Sequence, residues 1–207
     1  MSQLRYNMEM SQTNPNAIIV CGPNGVGKTT LAMEYQKIHP FKYLGADAIA
    51  YELNAKAPSL VKIQAGRLFI DKVSQHISSG DDLIIETTLS GIGFQRVIQQ
   101  LNKARYHIIL SFVFLQSPEA CVARVQERTL TGGHFVPTED VKRRYYRAKL
   151  NFWYRYKQLV NQWYLLYNSN STFHEICSGA NEQQTIADEN LFQLFLENLK
   201  QENIHGH

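Results

Sequence analysis

Three sets of side chains in this sequence have the types and spacing that phosphate chemistry requires. The first is Gly22-Pro23-Asn24-Gly25-Val26-Gly27-Lys28-Thr29, which fits the Gly-x-x-x-x-Gly-Lys-Thr pattern of a phosphate-binding (Walker A) loop. Its glycines let backbone N–H groups approach phosphate oxygens closely. In this pattern Lys28 neutralises the β- and γ-phosphates, and the Thr29 hydroxyl binds Mg²⁺. The motif predicts an ATP site that extends to Thr30 at the start of a helix.

The second set consists of two carboxylates that follow predicted strands. A carboxylate at Asp47 would accept a proton from a substrate hydroxyl, or orient that hydroxyl in line with the γ-phosphate. Asp is also a favoured helix N-cap, and Ala48-Ile49-Ala50-Tyr51 has helical character, so the local sequence leaves both roles open.

Glu86 is the other carboxylate, and it ends the apolar run 83–85. Charged residues at the carboxyl ends of parallel strands face the ligand crevice, so Glu86 is predicted to contact Mg²⁺ or the substrate. Thr87 and Thr88 offer hydroxyls next to this carboxylate. The alternative is a solvated strand end.

The third set is a group of arginines around Gly132-Gly133. Arg124 and Arg128 lie one helical turn apart and share a face, while Arg143 and Arg144 follow the glycines. The flat, permanently charged guanidinium suits phosphoryl oxygens. We predict a lid that closes over ATP and excludes water, with Arg124 and Arg128 ahead of Arg143 and Arg144 as phosphate ligands. The alternative is a solvated helical face, which holds for some of the cations of this region.

The elements that position these residues alternate between strands and helices, which predicts an α/β fold. We expect a mostly parallel sheet with helices on both faces and a small helical lid. The predicted strands are 17–21, 41–45, 83–86, 107–115, 163–168 and 172–177. The predicted helices are 30–39, 59–79, 94–104, 119–129, one that Thr138 caps and that continues past Trp153, and 185–200.

The chain length of 207 residues suits one α/β domain with a full core. We predict a flexible N-terminal tail at 1–16 and a P-loop domain at 17–180, with its lid at about 124–147. Residues 181–207 are expected to hold a helix that packs on this domain.

Composition narrows the class of partner. The net charge of +3 suits a phosphorylated small molecule and makes binding to long nucleic acids unlikely as a main function. Three scattered cysteines, Cys21, Cys121 and Cys177, indicate reduced thiols in a cytoplasmic protein. The polar first sixteen residues do not have the pattern of a secretion signal, and no apolar run is long enough to cross a membrane.

Taken in order, the motifs resemble those of the zeta-toxin-like family of P-loop kinases, in its compact chromosomal branch. The resemblance spans about residues 17–170. The motifs that carry it are Gly22 to Ala32, Gly45-Ala46-Asp47-Ala48-Ile49-Ala50, Ala65-Gly66-Arg67, Ile85-Glu86-Thr87-Thr88-Leu89-Ser90-Gly91, Arg124-Val125, Gly132-Gly133-His134-Phe135-Val136-Pro137 and Arg143-Arg144-Tyr145.

The resemblance implies a P-loop kinase-like fold and a kinase that depends on ATP and Mg²⁺. Zeta toxins phosphorylate the 3′-hydroxyl of UDP-N-acetylglucosamine, and their base is an aspartate that matches Asp47. The family also implies an antitoxin as a protein partner. The uracil and sugar contacts of the family are not recognisable in this sequence.

Other site residues come from the resemblance alone. Arg124 matches the first phosphate-binding arginine of the family lid, and His134 stands where a second would be. Arg128, Arg143 or Arg144 would then replace that second arginine. The resemblance also places Arg67 and Thr88 on the substrate side.

Three functions follow as hypotheses. The first is phosphoryl transfer from Mg–ATP to a hydroxyl of a small molecule, such as a nucleotide sugar. The second is an ATP-binding regulatory module without turnover, and the third is a kinase that acts on nucleic-acid ends.

Overall fold

A computed structural model describes residues 8–55, 58–133, 135–170, 172–180 and 183–202. Residues 1–7 of the predicted 1–16 tail therefore lie outside the described residues, and Asn16 already belongs to the first strand. The strands in the described part are β1 (Asn16–Cys21), β2 (Lys42–Gly45), β3 (Leu83–Thr87), β4 (His107–Phe114), β5 (Gln162–Ser169), β6 (Thr172–Ala180) and β7 (Gln183–Ile186). The helices there are α1 (Lys28–Ile38), α2 (Ala46–Leu53), α3 (Lys62–Ser79), α4 (Gln95–Lys103), α5 (Pro118–Leu130), α6 (Thr138–Asn151) and α7 (Glu189–Glu202).

The strands form one sheet in the order β2-β3-β1-β4-β5-β6-β7. The first five strands of this order run parallel, while β6 and β7 pair antiparallel at one side. Parallel strands need crossover connections, and here the intervening helices supply them. The predicted α/β fold with a mostly parallel sheet is confirmed.

Both faces of the sheet are covered, as the inner strand β1 shows. All six of its residues are buried, with Ala17, Ile19 and Cys21 in one apolar cluster and Ile18 and Val20 in the other. This alternation follows from the two-residue period of a strand. It explains why the sequence of β1 is a continuous apolar run rather than an alternating one.

The C-terminal helix α7 packs on the sheet through its apolar stripe. Phe192, Phe195 and Leu199 recur at helical spacing and are buried in the same cluster as Phe112 and Phe152. None of the helices in the described part of the chain is long and apolar enough to cross a membrane.

Several element boundaries differ from the sequence prediction. The N-cap of α6 is Pro137 and not Thr138, since the Pro137 carbonyl accepts the Val141 N–H at 3.0 Å. The predicted helix at 185–200 begins only at Glu189, and residues Gln183–Ile186 form the strand β7, which was not predicted because its sequence lacks apolar alternation. Ser117 caps α5, because its hydroxyl accepts the Ala120 N–H at 3.2 Å.

Candidate functional site

The glycine loop connects the end of β1 to the start of α1, as its motif requires. Gly22 and Gly27 have φ angles of 137° and 93°, in the region that strains other residues. A Cβ at Gly22 would overlap the carbonyl oxygen of Val113, and one at Gly27 would lie 2.5 Å from Asn168 Nδ2. The loop therefore needs glycine both for its angles and for its close approach to β4 and β5.

Lys28 is the first residue of α1, and its side chain is buried. Its ammonium donates to the Pro23 carbonyl at 2.9 Å, across the opening of the loop. The lysine charge thus lies among the loop N–H groups and at the positive end of a helix dipole. This is the arrangement that binds phosphate.

Asn168 supports the loop from β5, a role the sequence analysis missed. It is buried, and its Nδ2 donates to the Val26 carbonyl at 2.7 Å. The Asn168 amide fits there because Gly27 has no side chain. A polar amide inside a buried apolar strand was the signal that would have found it, because such a group needs a partner.

Glu86, at the end of β3, accepts hydrogen bonds on both carboxylate oxygens. Thr29 Oγ1 donates to Oε1 at 3.1 Å, and the Tyr43 hydroxyl donates to Oε2 at 2.7 Å. Burial raises the pKa of Tyr43, and the negative charge of Glu86 raises it further, so this hydroxyl stays protonated as a donor.

The oxygens of Thr29 and Glu86 fit a magnesium site. Mg²⁺ prefers oxygen ligands and takes one or two from protein, completing its shell with phosphates and water. Among the described residues there is no cluster of three His, Cys, Asp or Glu side chains that would hold a metal alone. The donor set therefore suits a metal that arrives with a nucleotide.

Asp47 lies in the first turn of α2, directly beyond β2. The N-cap of α2 is Gly45, so the alternative in which Asp47 caps this helix is wrong. Its carboxylate is exposed and opens into both cavities described next. The structure thus leaves this side chain available to a ligand.

Two cavities meet over the carboxyl ends of β1, β2 and β3. The loop cavity, of about 320 Å³, is lined by residues of the glycine loop, by Arg124 and Arg128, and by four residues that also line the second cavity. The strand-end cavity, of about 380 Å³, is lined by the same four residues and also by Tyr43, Phe69, Thr87, Thr88, Ser90 and Arg144. The residues that line both cavities are Lys28, Thr29, Asp47 and Glu86.

The arginines divide between the cavities in a way the sequence did not predict. Arg124 and Arg128 reach the loop cavity from α5, while Arg144 reaches the strand-end cavity from α6. Arg144 also donates to Asn24 Oδ1 at 3.2 Å, which ties α6 to the glycine loop. Arg143 instead pairs with Asp140 at 2.7 Å on the exposed side of α6.

Three other predicted site residues differ in where they lie relative to the two cavities. Thr88 lines the strand-end cavity, and its hydroxyl shares a 3.0 Å hydrogen bond with that of Ser90. Arg67 is exposed on α3 and lines neither cavity, so its role stays a prediction. His134 lies outside the described residues.

A phosphate loop and two cavities at the carboxyl edge of a parallel sheet define a P-loop kinase-like fold. A profile of the AAA domain family matches residues 18–150, which is more than half of the chain. The chain belongs to that family.

The chain is also similar to an uncharacterized protein of Haemophilus influenzae (strain ATCC 51907 / DSM 11121 / KW20 / Rd). The two are 35% identical over 136 residues, which cover 62% of this chain and 91% of that protein. This similarity supports shared family membership but brings no activity with it.

Solved structures share the fold. A chain from the PezAT chromosomal toxin–antitoxin system of Streptococcus pneumoniae has 17% identity and a TM-score of 0.61, over 96% of this chain and 91% of that one. AvrRxo1-ORF1:-ORF2 with ATP has 15% identity and a TM-score of 0.68, over 87% of this chain and 63% of that one. A gluconokinase from Sinorhizobium meliloti has 13% identity and a TM-score of 0.52, over 93% and 98%. At these identities they establish the fold, and at that level the resemblance to zeta-toxin-like P-loop kinases is confirmed.

Proposed function

We propose that this protein is a kinase that transfers the γ-phosphate of ATP, with Mg²⁺, to a hydroxyl group of a small molecule. The observation that carries this proposal is the pair of cavities with four shared residues, Lys28, Thr29, Asp47 and Glu86. Two ligands bound in these cavities would meet over those side chains. A shared boundary of this kind is what transfer between two bound molecules requires.

The shared residues have complementary roles in such a transfer. The acceptor oxygen forms a bond to the γ-phosphorus, the bond between that phosphorus and the ADP oxygen breaks, and Asp47 takes the hydroxyl proton. Lys28 stabilises the charge on the transferred group. Thr29 and Glu86 would hold Mg²⁺, which when bound neutralises phosphate charge.

The arginines provide charge on two sides of the transferred group. Arg124 and Arg128 line the loop cavity, where the ATP phosphates would lie. Arg144 lines the acceptor side and already contacts the glycine loop, which makes it our choice for the second lid arginine. Arginines on opposite sides of a phosphoryl group both orient it and exclude water.

The strand-end cavity suits a polyhydroxylated acceptor with an anionic part. Hydroxyls of Tyr43, Thr88 and Ser90 line it, together with the Phe69 ring and the Arg144 guanidinium. Because the motifs resemble those of the zeta toxins, we propose UDP-N-acetylglucosamine as the first acceptor to test. By the same resemblance, an antitoxin is the partner protein we propose.

The test is transfer of labelled phosphate from Mg–ATP to a panel of nucleotide sugars and other polyols. We expect Asp47→Asn to retain ATP binding and lose about 10²–10⁴-fold in turnover, because it loses the proton acceptor. Lys28→Ala should lose transfer as well. The matched control is Glu52→Gln, which removes a carboxylate of the same helix that faces Lys72 at 3.6 Å.

Normal turnover in Asp47→Asn would contradict the assigned role. ATP binding without product from any acceptor would overturn the kinase and favour the regulatory module. Transfer to oligonucleotide ends, with affinity that falls steeply as salt rises, would favour the end kinase.

A further inference from the structure

Tyr43 reaches Glu86 because of the register between β2 and β3. Gly45 of β2 lies opposite Glu86 of β3, and Tyr43 lies two residues before Gly45. Residues two apart in a strand share a face of the sheet, so the Tyr43 side chain extends along the same face as Gly45 and Glu86. Its hydroxyl ends 2.7 Å from Glu86 Oε2.

Gly45 provides the space for this contact. A Cβ at Gly45 would lie 2.8 Å from the Tyr43 hydroxyl oxygen and 3.3 Å from its Cζ. The φ angle of Gly45 is −143°, which any residue adopts, so its backbone does not require glycine. The absence of a side chain at Gly45 therefore matters for the position of the tyrosine.

The Tyr43 hydroxyl restricts the Glu86 carboxylate to one orientation. With Oε2 held by Tyr43, Oε1 faces Thr29 Oγ1 at 3.1 Å. Hydrogen bonds to a ligating carboxylate commonly orient it and tune its affinity for the metal. We propose that Tyr43 is a positioning residue that holds Glu86 toward Thr29 and the nucleotide-bound metal. The inference rests on the proposed use of Thr29 and Glu86 for Mg–ATP.

Tyr43 also lines the strand-end cavity, so the alternative role for its hydroxyl is a direct contact to the acceptor. The two roles predict different kinetics. A positioning role affects metal-dependent nucleotide binding and kcat, whereas a direct contact raises the KM for the acceptor.

The experiment uses Tyr43→Phe, which keeps the ring and removes the hydroxyl. ATP binding is measured by calorimetry over a series of Mg²⁺ concentrations, without any acceptor. We expect the half-saturating Mg²⁺ concentration to rise about 10-fold, and ATP affinity without Mg²⁺ to change less than about twofold. In the transfer assay, kcat should fall while the acceptor KM stays within about twofold.

Two variants complete the test. Gly45→Ala should raise the Mg²⁺ requirement in the same direction, because its methyl group displaces the tyrosine hydroxyl. The matched control is Tyr106→Phe, whose hydroxyl donates to the Asp81 carbonyl at 2.8 Å, just before β4 begins and away from both cavities. It should leave the Mg²⁺ dependence unchanged even if its thermal stability falls.

The binding readout needs no turnover, so it separates this inference from the proposed kinase activity. A Mg²⁺ shift in Tyr43→Phe, with no transfer by the wild-type protein, would support the positioning role and overturn the kinase. Wild-type Mg²⁺ dependence in Tyr43→Phe would overturn the positioning role, as would a higher acceptor KM as its only effect. Failure of the wild-type protein to bind Mg–ATP would overturn both.

Discussion

At the scale of single residues, the two adjacent arginines of α6 have different surroundings. Arg144 is half-buried, contacts Asn24 of the glycine loop and lines the strand-end cavity. Arg143 is exposed and pairs with Asp140 at 2.7 Å, three residues earlier on the same helix, whereas Arg144 lies 3.9 Å from the same carboxylate. Successive residues of a helix point about 100° apart, so neighbours in sequence need not share a site.

This difference predicts different effects of the same substitution. Arg144→Ala should lower kcat about 100-fold, since it removes a charge aimed at the transferred phosphate. Arg143→Ala should change kcat by less than about twofold, because an exposed ion pair contributes little. Steady-state kinetics of both variants would test this, and equal losses in the two would contradict the assignment of Arg144.

At the scale of elements, the loop after β3 is held by the end of α6 and the π-helical turn that follows. Leu89 has a φ angle of 56°, and its carbonyl accepts from Asn151 Nδ2 at 2.9 Å. The carbonyl of Gly91 accepts from the Tyr156 hydroxyl at 2.8 Å. Tyr156 lies in the π-helical turn Phe152–Tyr156, so this turn helps to place the Thr88 and Ser90 side of the cavity.

Removal of one of these hydrogen bonds should affect acceptor binding selectively. Tyr156→Phe leaves the Gly91 carbonyl without this donor, a loss of about 1 kcal/mol, so the acceptor KM should rise about five-fold. The KM for ATP should not change, because the glycine loop is held by other residues.

Kinetics with each substrate varied in turn would measure both constants. The control is Tyr154→Phe, since Tyr154 belongs to the same turn but is 53% exposed. A rise in the ATP KM of Tyr156→Phe would show that the loop does not act on the acceptor side alone.

At the scale of the whole molecule, Lys149 joins three elements inside the core. Its ammonium lies over the rings of Phe114 from β4, Tyr145 from α6 and Phe195 from α7, at 5.5, 5.2 and 4.5 Å from the ring centroids. No described residue makes a hydrogen bond to its Nζ, and the side chain is 1% exposed. Burial lowers the pKa of Lys149 to about 7.

The buried lysine predicts how stability depends on pH. An unfolded lysine has a pKa of about 10.4, so between pH 7 and 10.4 the unfolded chain binds more protons than the folded one. The Lys149 contribution to the free energy of unfolding is then most unfavourable below pH 7, and it improves by up to about 1.4 kcal/mol per pH unit above it.

Lys149→Met removes this titration and keeps an unbranched side chain. The variant should be more stable than the wild type at pH 7, and its advantage should shrink as pH rises to 8.5. Cys121, close to Lys149, has a pKa raised to about 12 by burial, so it stays protonated in the folded state over this range. Urea denaturation at several pH values would measure the difference, and a constant difference would contradict a lowered pKa for Lys149.

Much of the fold and part of the site were predictable from local patterns. The apolar run of β1, the glycines that follow it and the Ser117 cap each act within a few residues, so sequence spacing suffices to identify them. The edge strand β7 was not predictable, because its pairing with β6 is visible only in the sheet. Strand pairing depends on partners distant in sequence, which local propensity does not report.

The sequence by itself determined the phosphate loop, the alternation of strands and helices, and the carboxylates at the strand ends. Only the tertiary structure decided which side chains meet there. Asn168 supports the loop from 142 residues away, and Tyr43 orients Glu86 across 43 residues. These contacts follow from strand order and register, which the free energy of the whole packed core selects. The chemistry of each residue is local, but its partners depend on the complete fold.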